Sequence, residues 1–338
     1  MLKPKFSYKI FNRSGTLIGN LPIDRVKSEP KFSEAINGGQ GNMTILLAGD
    51  VLDSPVSVWN IIHVLVFWEG FATDGEVIYR GWVEKITRVL DTSEQVLSVE
   101  LYWLAYYLQK VFYRSSGNVV FTKNEDPKTT IEAMIDYVNT VHNFFSKDIE
   151  LYGSSLATNY SYTYASDVLK DFATRTGKYY FIESDGTISF KTKPVTATHT
   201  LDFWYDVQKI TSDEDIIDAV NSVYMQYTGW YAPASDATSI SNIGTREKKE
   251  DNSTIWNIWS GNDSASKYIT ENKDAKRATT LVLNSRADLL AIKPWDTITV
   301  RGVNLGITNL QVYKKTYNIN NITLELEKVT TLASVIFT

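Results

Sequence analysis

The sequence predicts a mainly β protein with an α+β insert: two β-barrel domains flanking a small helix–helix–hairpin domain. Three observations predict it. Short apolar runs of alternating character, separated by turn residues, fill both the first and the last third of the chain. The two clearest helical periodicities fall side by side between residues 125 and 193. Aromatic residues make up 13% of the chain, with 20 Tyr, 14 Phe and 9 Trp, which suits cross-strand ring pairs and surfaces that are dry at one end and wet at the other. A chain of 338 residues has room for about two to four domains of ordinary size.

Phe6, Tyr8 and Ile10 alternate with polar neighbours, and Asn12–Gly15 supplies a turn, so the chain opens on a hairpin. Three glycines crowd residues 35–41 before an apolar strand resumes at 43–47. They permit a tight or bulged connection. No Gly-Lys-Ser/Thr follows, so the stretch lacks the signature of a phosphate-cradling loop. Further strands are predicted at 58–67, 77–79, 81–89 and 95–101, and residues 1–105 form the first β-barrel domain.

Residues 106–124 form a connector that continues the densest aromatic run of the chain. From 101 to 112 it carries Tyr102, Trp103, Tyr106, Tyr107 and Phe112, more apolar bulk than one helical face holds. This run reads either as a helix plugging one end of the barrel or as a surface between subunits. The 125–193 domain follows. Asp126 and Pro127 introduce a helix on which Ile131, Met134, Ile135 and Val138 share one face, and a second helix spans 165–176 with Gly177 as its stop. Ser184, Asp185 and Gly186 then sit between two strand-like runs as a hairpin turn.

Residues 194–338 form the second β-barrel domain, organised around 220–227, VNSVYMQY. There Val223, Met225 and Tyr227 alternate with Ser222, Tyr224 and Gln226, giving one buried face and one face offered elsewhere. An acidic turn with Asp213, Glu214, Asp215 and Asp218 precedes it. Residues 232–253 are polar and predict a long loop or extended hairpin, beside which Trp256 and Trp259 serve as contacts for a partner or a glycan, or as a local lid. A helix at 263–277 and strands at 281–283, 297–300, 310–317 and 322–326 complete the domain. The apolar tail at 332–337 is expected to dock.

Composition excludes several chemistries. The absence of cysteine removes disulfides, thiolate nucleophiles and cysteine-based zinc sites. The net charge is -5, from 39 acidic and 34 basic residues, with the signs interspersed and no basic stripe for nucleic acid. The opening lacks the apolar run of a secretory signal, and no stretch is long and apolar enough for a membrane helix. The expectation is therefore a soluble protein that reaches its place by assembly. His63, His142 and His199 show no metal-ligand spacing, and no GxSxG elbow is present. No catalytic residue, metal or cofactor is predicted. Paired carboxylates from distant segments would still support a glycosidase, and stacking on Trp256 and Trp259 a carbohydrate-binding protein.

Several stretches in order resemble the tail or baseplate hub proteins of long-tailed bacteriophages. The opening YKIFNRSGTLIGNLP with INGGQGNMTILL looks like their start, and GKYYFIESDGTISFKTK is similar to their small middle domain. DAVNSVYMQY places Asn221 where these proteins often carry asparagine before a strand, and AIKPWDTITV with YNINNITLELEKV resembles their closing barrel. The resemblance implies a non-enzymatic structural protein of the virion tail tip, assembled in the host cytoplasm. It further implies a homotrimeric ring that meets the tail tube and distal tail ring on one side and tip or fibre proteins on the other. DNA passes the lumen without specific binding, and no membrane is entered. A hexameric distal tail ring protein is the related alternative. The residues offered for the contact between copies are Tyr102, Trp103, Tyr106, Tyr107, Phe112 and Tyr224.

Overall fold

The computed structural model describes residues 4–48, 56–67, 75–90, 95–140, 144–215, 219–227, 229–251, 258–273, 276–303, 307–327 and 329–330. His142, Asp218, Trp256 and the tail at 332–337 lie outside them.

The first part of the chain runs β1 (Lys5–Phe11), β2 (Leu17–Asn20), β3 (Phe32–Ala35), β4 (Gly39–Gln40), β5 (Met43–Ala48), β6 (Ile61–Phe67), β7 (Glu76–Leu90) and β8 (Gln95–Trp103). Six of these form one sheet in the order β2-β1-β6-β7-β8-β5, with antiparallel pairing throughout. The opening hairpin is β1–β2, its turn fixed by Asn12 Oδ1, which accepts from Thr16 N at 2.8 Å and Ser14 Oγ at 2.7 Å. Gly81 in β7 is a packing requirement: a Cβ there would stand 2.6 Å from the Tyr79 ring and 3.1 Å from Leu101 Cβ.

The middle of the chain runs β9 (Val120–Glu125), α1 (Pro127–Asn139), β10 (Ser146–Ile149), β11 (Leu156–Ser161), α2 (Ala165–Thr176), β12 (Tyr179–Ile182) and β13 (Thr187–Lys191). Asp126 caps α1 by accepting from Lys128 N at 2.9 Å, and Gly177 ends α2 in the left-handed region at φ 67°. The two helices and the β12–β13 hairpin stand where their periodicities place them. The pairs β9–β11 and β10–β13 were not foreseen. The aromatic run at 101–112 is no continuous helix: it leaves β8 and tightens into a short 3-10 helix at Leu104–Gln109.

The last part runs β14 (His199–Asp202), β15 (Val207–Asp215), β16 (Ser222–Tyr227), β17 (Trp230–Ser235), α3 (Ala237–Ile243), β18 (Glu247–Asp251), α4 (Ile258–Asn272), β19 (Lys276–Asn284), α5 (Ala287–Leu290), β20 (Thr297–Arg301), β21 (Leu310–Asn318), β22 (Asn321–Leu326) and β23 (Val329–Thr330). Two expectations fail here. Of the polar 232–253 stretch, the described residues 232–251 form strand and helix rather than a loop, because β17 and β18 flank β16 on either side and Asn221 pins the connection. The Asn221 side chain donates to Gly244 O at 2.8 Å and accepts from Arg246 N at 2.7 Å. Main-chain pairing thus supplies what the apolar content does not. Asp213, Glu214 and Asp215 belong to strand β15 rather than to a turn, held by antiparallel pairing to β19.

The expectation of two β-barrels is also corrected. The second large sheet follows the order β14-β20-β21-β22-β19-β15, with β3 and β4 of the first part joined to it through β21. Among the described residues neither large sheet closes on itself. Instead the two share a single core: Tyr8, Ile62, Val64, Tyr79 and Val99 from the first sheet lie in one cluster with Leu281, Leu283, Val312, Tyr317 and Leu324 from the second. Two twisted sheets with one apolar face each satisfy one another, so neither needs closure. A buried pair reinforces the joining of β3 to β21, with Lys315 Nζ 3.7 Å from Glu34 and 2.8 Å from Leu290 O, while Gln40 donates to the same carboxylate. Two smaller cores accompany this one. The middle unit packs its helices on Ile61, Trp82 and Trp103 of the first sheet, and β16, β17 and α4 enclose Val223, Met225, Tyr227, Ala232, Ala265 and Ile269.

Candidate interaction surfaces

Strand alternation gives the first sheet two chemically different faces. Tyr79 and Val83 of β7 point into the shared core, and Arg80, Trp82 and Glu84 occupy the other face. Register places Ile61 opposite Trp82, His63 opposite Arg80, Trp82 opposite Tyr102, and Phe11 opposite Ile61 on that outer face. The middle unit covers only its centre, where the Phe144 ring meets Trp82 edge-on at 5.0 Å. A cleft is left on each side.

The first cleft encloses about 170 Å³ between Trp59, Trp82, Glu84, Tyr102, Tyr106, Tyr107 and Lys110. Trp59 meets Trp82 edge-on at 6.4 Å, and the Tyr102 and Tyr106 rings lie 4.7 Å apart. The Lys110 ammonium stands 4.6 Å from the Tyr106 ring centre, and its hydrogen bond to Tyr106 raises its pKa. Trp59 is 58% exposed and held at φ 77°, in the left-handed region that bulky side chains avoid. Its N–H is fixed by donation to Val83 O at 2.9 Å. An exposed indole held in a costly backbone conformation over a ring-lined cleft is a feature that folding alone does not require.

Of the six residues expected at a contact between copies, Tyr102, Tyr106 and Tyr107 meet in this cleft. Trp103 does not reach the surface: it is 2% exposed inside the core of the middle unit, so its contacts are within the chain. Phe112 lies in a different patch, stacked on Tyr164 at 4.5 Å with Tyr162 edge-on at 5.9 Å. Tyr224 is exposed on the β17-β16-β18 sheet, opposite Pro233. Trp259 is exposed in the first turn of α4. Sequence reasoning missed Trp59 and Trp82, since neither sits in a motif and only the register brings them beside Tyr102.

The second cleft, about 800 Å³, lies beyond Phe144 and is lined by the β1–β2 turn, Phe11, Ile61, His63, Arg80 and Asp185. Arg80 Nε donates to His63 Nε2 at 2.7 Å, which places the ring proton of His63 on Nδ1, and Arg80 Nη1 donates to Asp185 O at 3.1 Å. Burial, reinforced by the charges of Arg80 and Lys9, lowers the His63 pKa to about 4, so the imidazole is neutral at pH 7. The Phe11 ring lies 4.1 Å from the imidazole, tilted by 34°. Gly186 (φ 93°) allows the opposite wall to form, because a Cβ there would stand 2.3 Å from Phe144 O.

Among the described residues no group of three His, Cys, Asp or Glu side chains is placed to hold a metal ion. No helix among them is long and apolar enough to cross a membrane.

A similar fold is found in tail proteins of known structure. A 43 kDa tail protein of prophage MuSo2 from Shewanella oneidensis superposes with a TM-score of 0.68 at 10% identity, over 97% of each chain. A tail protein from Neisseria meningitidis MC58 gives 0.64 at 12% identity, again over 97% of each, and a prophage tail protein from Listeria monocytogenes gives 0.59 at 12%, over 94% of each. No family model and no curated protein matches the sequence. At these identities the likeness is one of fold, carried by the whole chain.

Proposed function

We propose that this chain is a structural, non-enzymatic component of a phage tail tip or baseplate: a hub that forms a trimeric ring, joins the tail tube and distal tail ring to tip or fibre proteins, and leaves a channel for DNA. The observation that carries the reading is the likeness of fold along nearly the entire chain to three tail proteins. Contact between copies is assigned to the aromatic cleft of Trp59, Tyr102, Tyr106 and Tyr107, where large rings are already desolvated in part and little rotamer freedom remains to be lost. A mildly acidic chain suits a passage that does not grip phosphate.

The test is the symmetry of the assembled particle. Purified protein imaged by negative-stain electron microscopy is expected to form rings of three-fold symmetry. Six-fold rings would assign it to the distal tail ring instead, and single particles at assembly concentrations would remove the ring reading.

A further inference from the structure

The larger cleft, beside Phe144, is lined by two guanidiniums, Arg13 and Arg80, against one carboxylate, Asp185. Asp185 Oδ1 accepts from Thr187 N at 2.8 Å, and among the described residues no carboxylate lies within ion-pair distance of Arg80. Arg80 uses Nε on the neutral His63 imidazole and Nη1 on Asp185 O. Its Nη2 donates to nothing among the described residues and is not enclosed. Burial disfavours the charge, and the more distant Asp185 carboxylate relieves this only in part. A half-withdrawn guanidinium, oriented by His63 and with donors left over in the wall of an open cleft, is arranged to receive an anion.

The rest of the cleft sets the size and character of that anion. Its volume of about 800 Å³ exceeds what a bare anion fills and falls in the range of small-molecule sites. Phe11, Ile61 and Phe144 give it apolar wall, and the Phe11 ring is fixed against His63 at 4.1 Å. The lining comes from the β1–β2 turn, from strands β6 and β7, and from the β12–β13 turn, so the cleft exists only where the middle unit meets the first sheet. Two guanidiniums in one lining suit a phosphoryl group better than a single carboxylate, because its near-double charge and three acceptor oxygens serve both.

We infer that this cleft binds a small phosphate monoester, with the phosphoryl group on Arg80 and Arg13 and an apolar, ring-sized body against Phe11, Ile61 and Phe144. The site does not depend on the tail reading, because the cleft is complete within one chain.

The experiment titrates phenyl phosphate into the full chain at low salt by calorimetry, with the histidine ring resonances followed by NMR and His63 assigned through His63→Gln. The expected result is saturable binding that shifts the His63 signals and leaves those of His199, on β14 in the other large sheet, in place. Phenol and inorganic phosphate should each bind at least tenfold more weakly than the ester. Arg80→Gln should lower the affinity at least tenfold, with Arg80→Lys intermediate, because an ammonium keeps the charge and loses the fork. Exposed Arg13 contributes less, and Arg13→Gln should lower it about threefold. Changing the ligand leaves the protein unaltered, so the phenol comparison survives a variant that folds poorly. No saturable binding, binding without a His63 shift, phenol binding as tightly, or affinity unmoved by Arg80→Gln would overturn the proposal. Inorganic phosphate binding as tightly as the ester would mean a small anion only, and would overturn it too.

Discussion

The two faces of the first sheet are built from the same strands and do different work. The inner face is mostly aliphatic, with Phe6 and two tyrosines, Tyr8 and Tyr79, whose hydroxyl pKa values burial raises, and it is sealed by the second large sheet. The outer face carries Trp82, Tyr102, His63 and Arg80, is roofed only at its centre, and opens into one aromatic and one cationic cleft. Period-two alternation places both sets within one stretch of chain, so the stability of the fold and its capacity for contact are separable by residue.

The largest effects are expected where packing is complete. Trp103→Ala removes a fully enclosed indole and should cost about 3–5 kcal/mol, read as a lower denaturant midpoint. Leu101→Ala and Leu281→Ala come from different sheets but one core, and each should cost about 2–5 kcal/mol within the same cooperative transition. Two separate transitions would mean two independent cores. Lys315→Met alone strands the Glu34 carboxylate and should cost roughly 3 kcal/mol; adding Glu34→Leu should restore much of it, because a buried pair rarely outweighs apolar packing.

A smaller effect is expected with pH. The folded His63 pKa lies below its unfolded value, so the unfolded chain binds more protons between pH 6.5 and 4. Stability from this group is complete above pH 6.5 and is lost as pH falls through that window. The loss should be on the order of 1–2 kcal/mol once solvent screening at a partly exposed site is allowed for. His63→Gln should flatten the stability profile there. The smallest effect on folding is expected at Trp59→Gly, which relieves the left-handed backbone and should change monomer stability by no more than about 1 kcal/mol.

Local patterns were legible in the sequence, and partnerships were not. The opening hairpin, α1, α2, the β12–β13 hairpin and the buried side of β16 follow from periodicity and turn chemistry. Pairing of β3 with β21 joins residues far apart in the chain, and nothing in either stretch announces it, so the sequence pattern alone does not separate two sheets sharing a core from two closed barrels. The strands and helix of residues 232–251 are not legible in composition, because main-chain bonds and the Asn221 side chain hold them. At the aromatic cleft, Tyr102, Tyr106 and Tyr107 were visible as a run. Trp103, in the same run, is enclosed with Trp82 in the core of the middle unit, and the run alone does not say which of its rings that unit covers.

Sedimentation of the wild-type chain beside the Trp59→Gly, Tyr106→Ala double variant tests the assignment of contact to the outer face most directly. The wild type should sediment as a trimer and the variant as a monomer with an almost unchanged unfolding midpoint. A wild type that stays monomeric at assembly concentrations, or a variant that still forms the trimer, would contradict it.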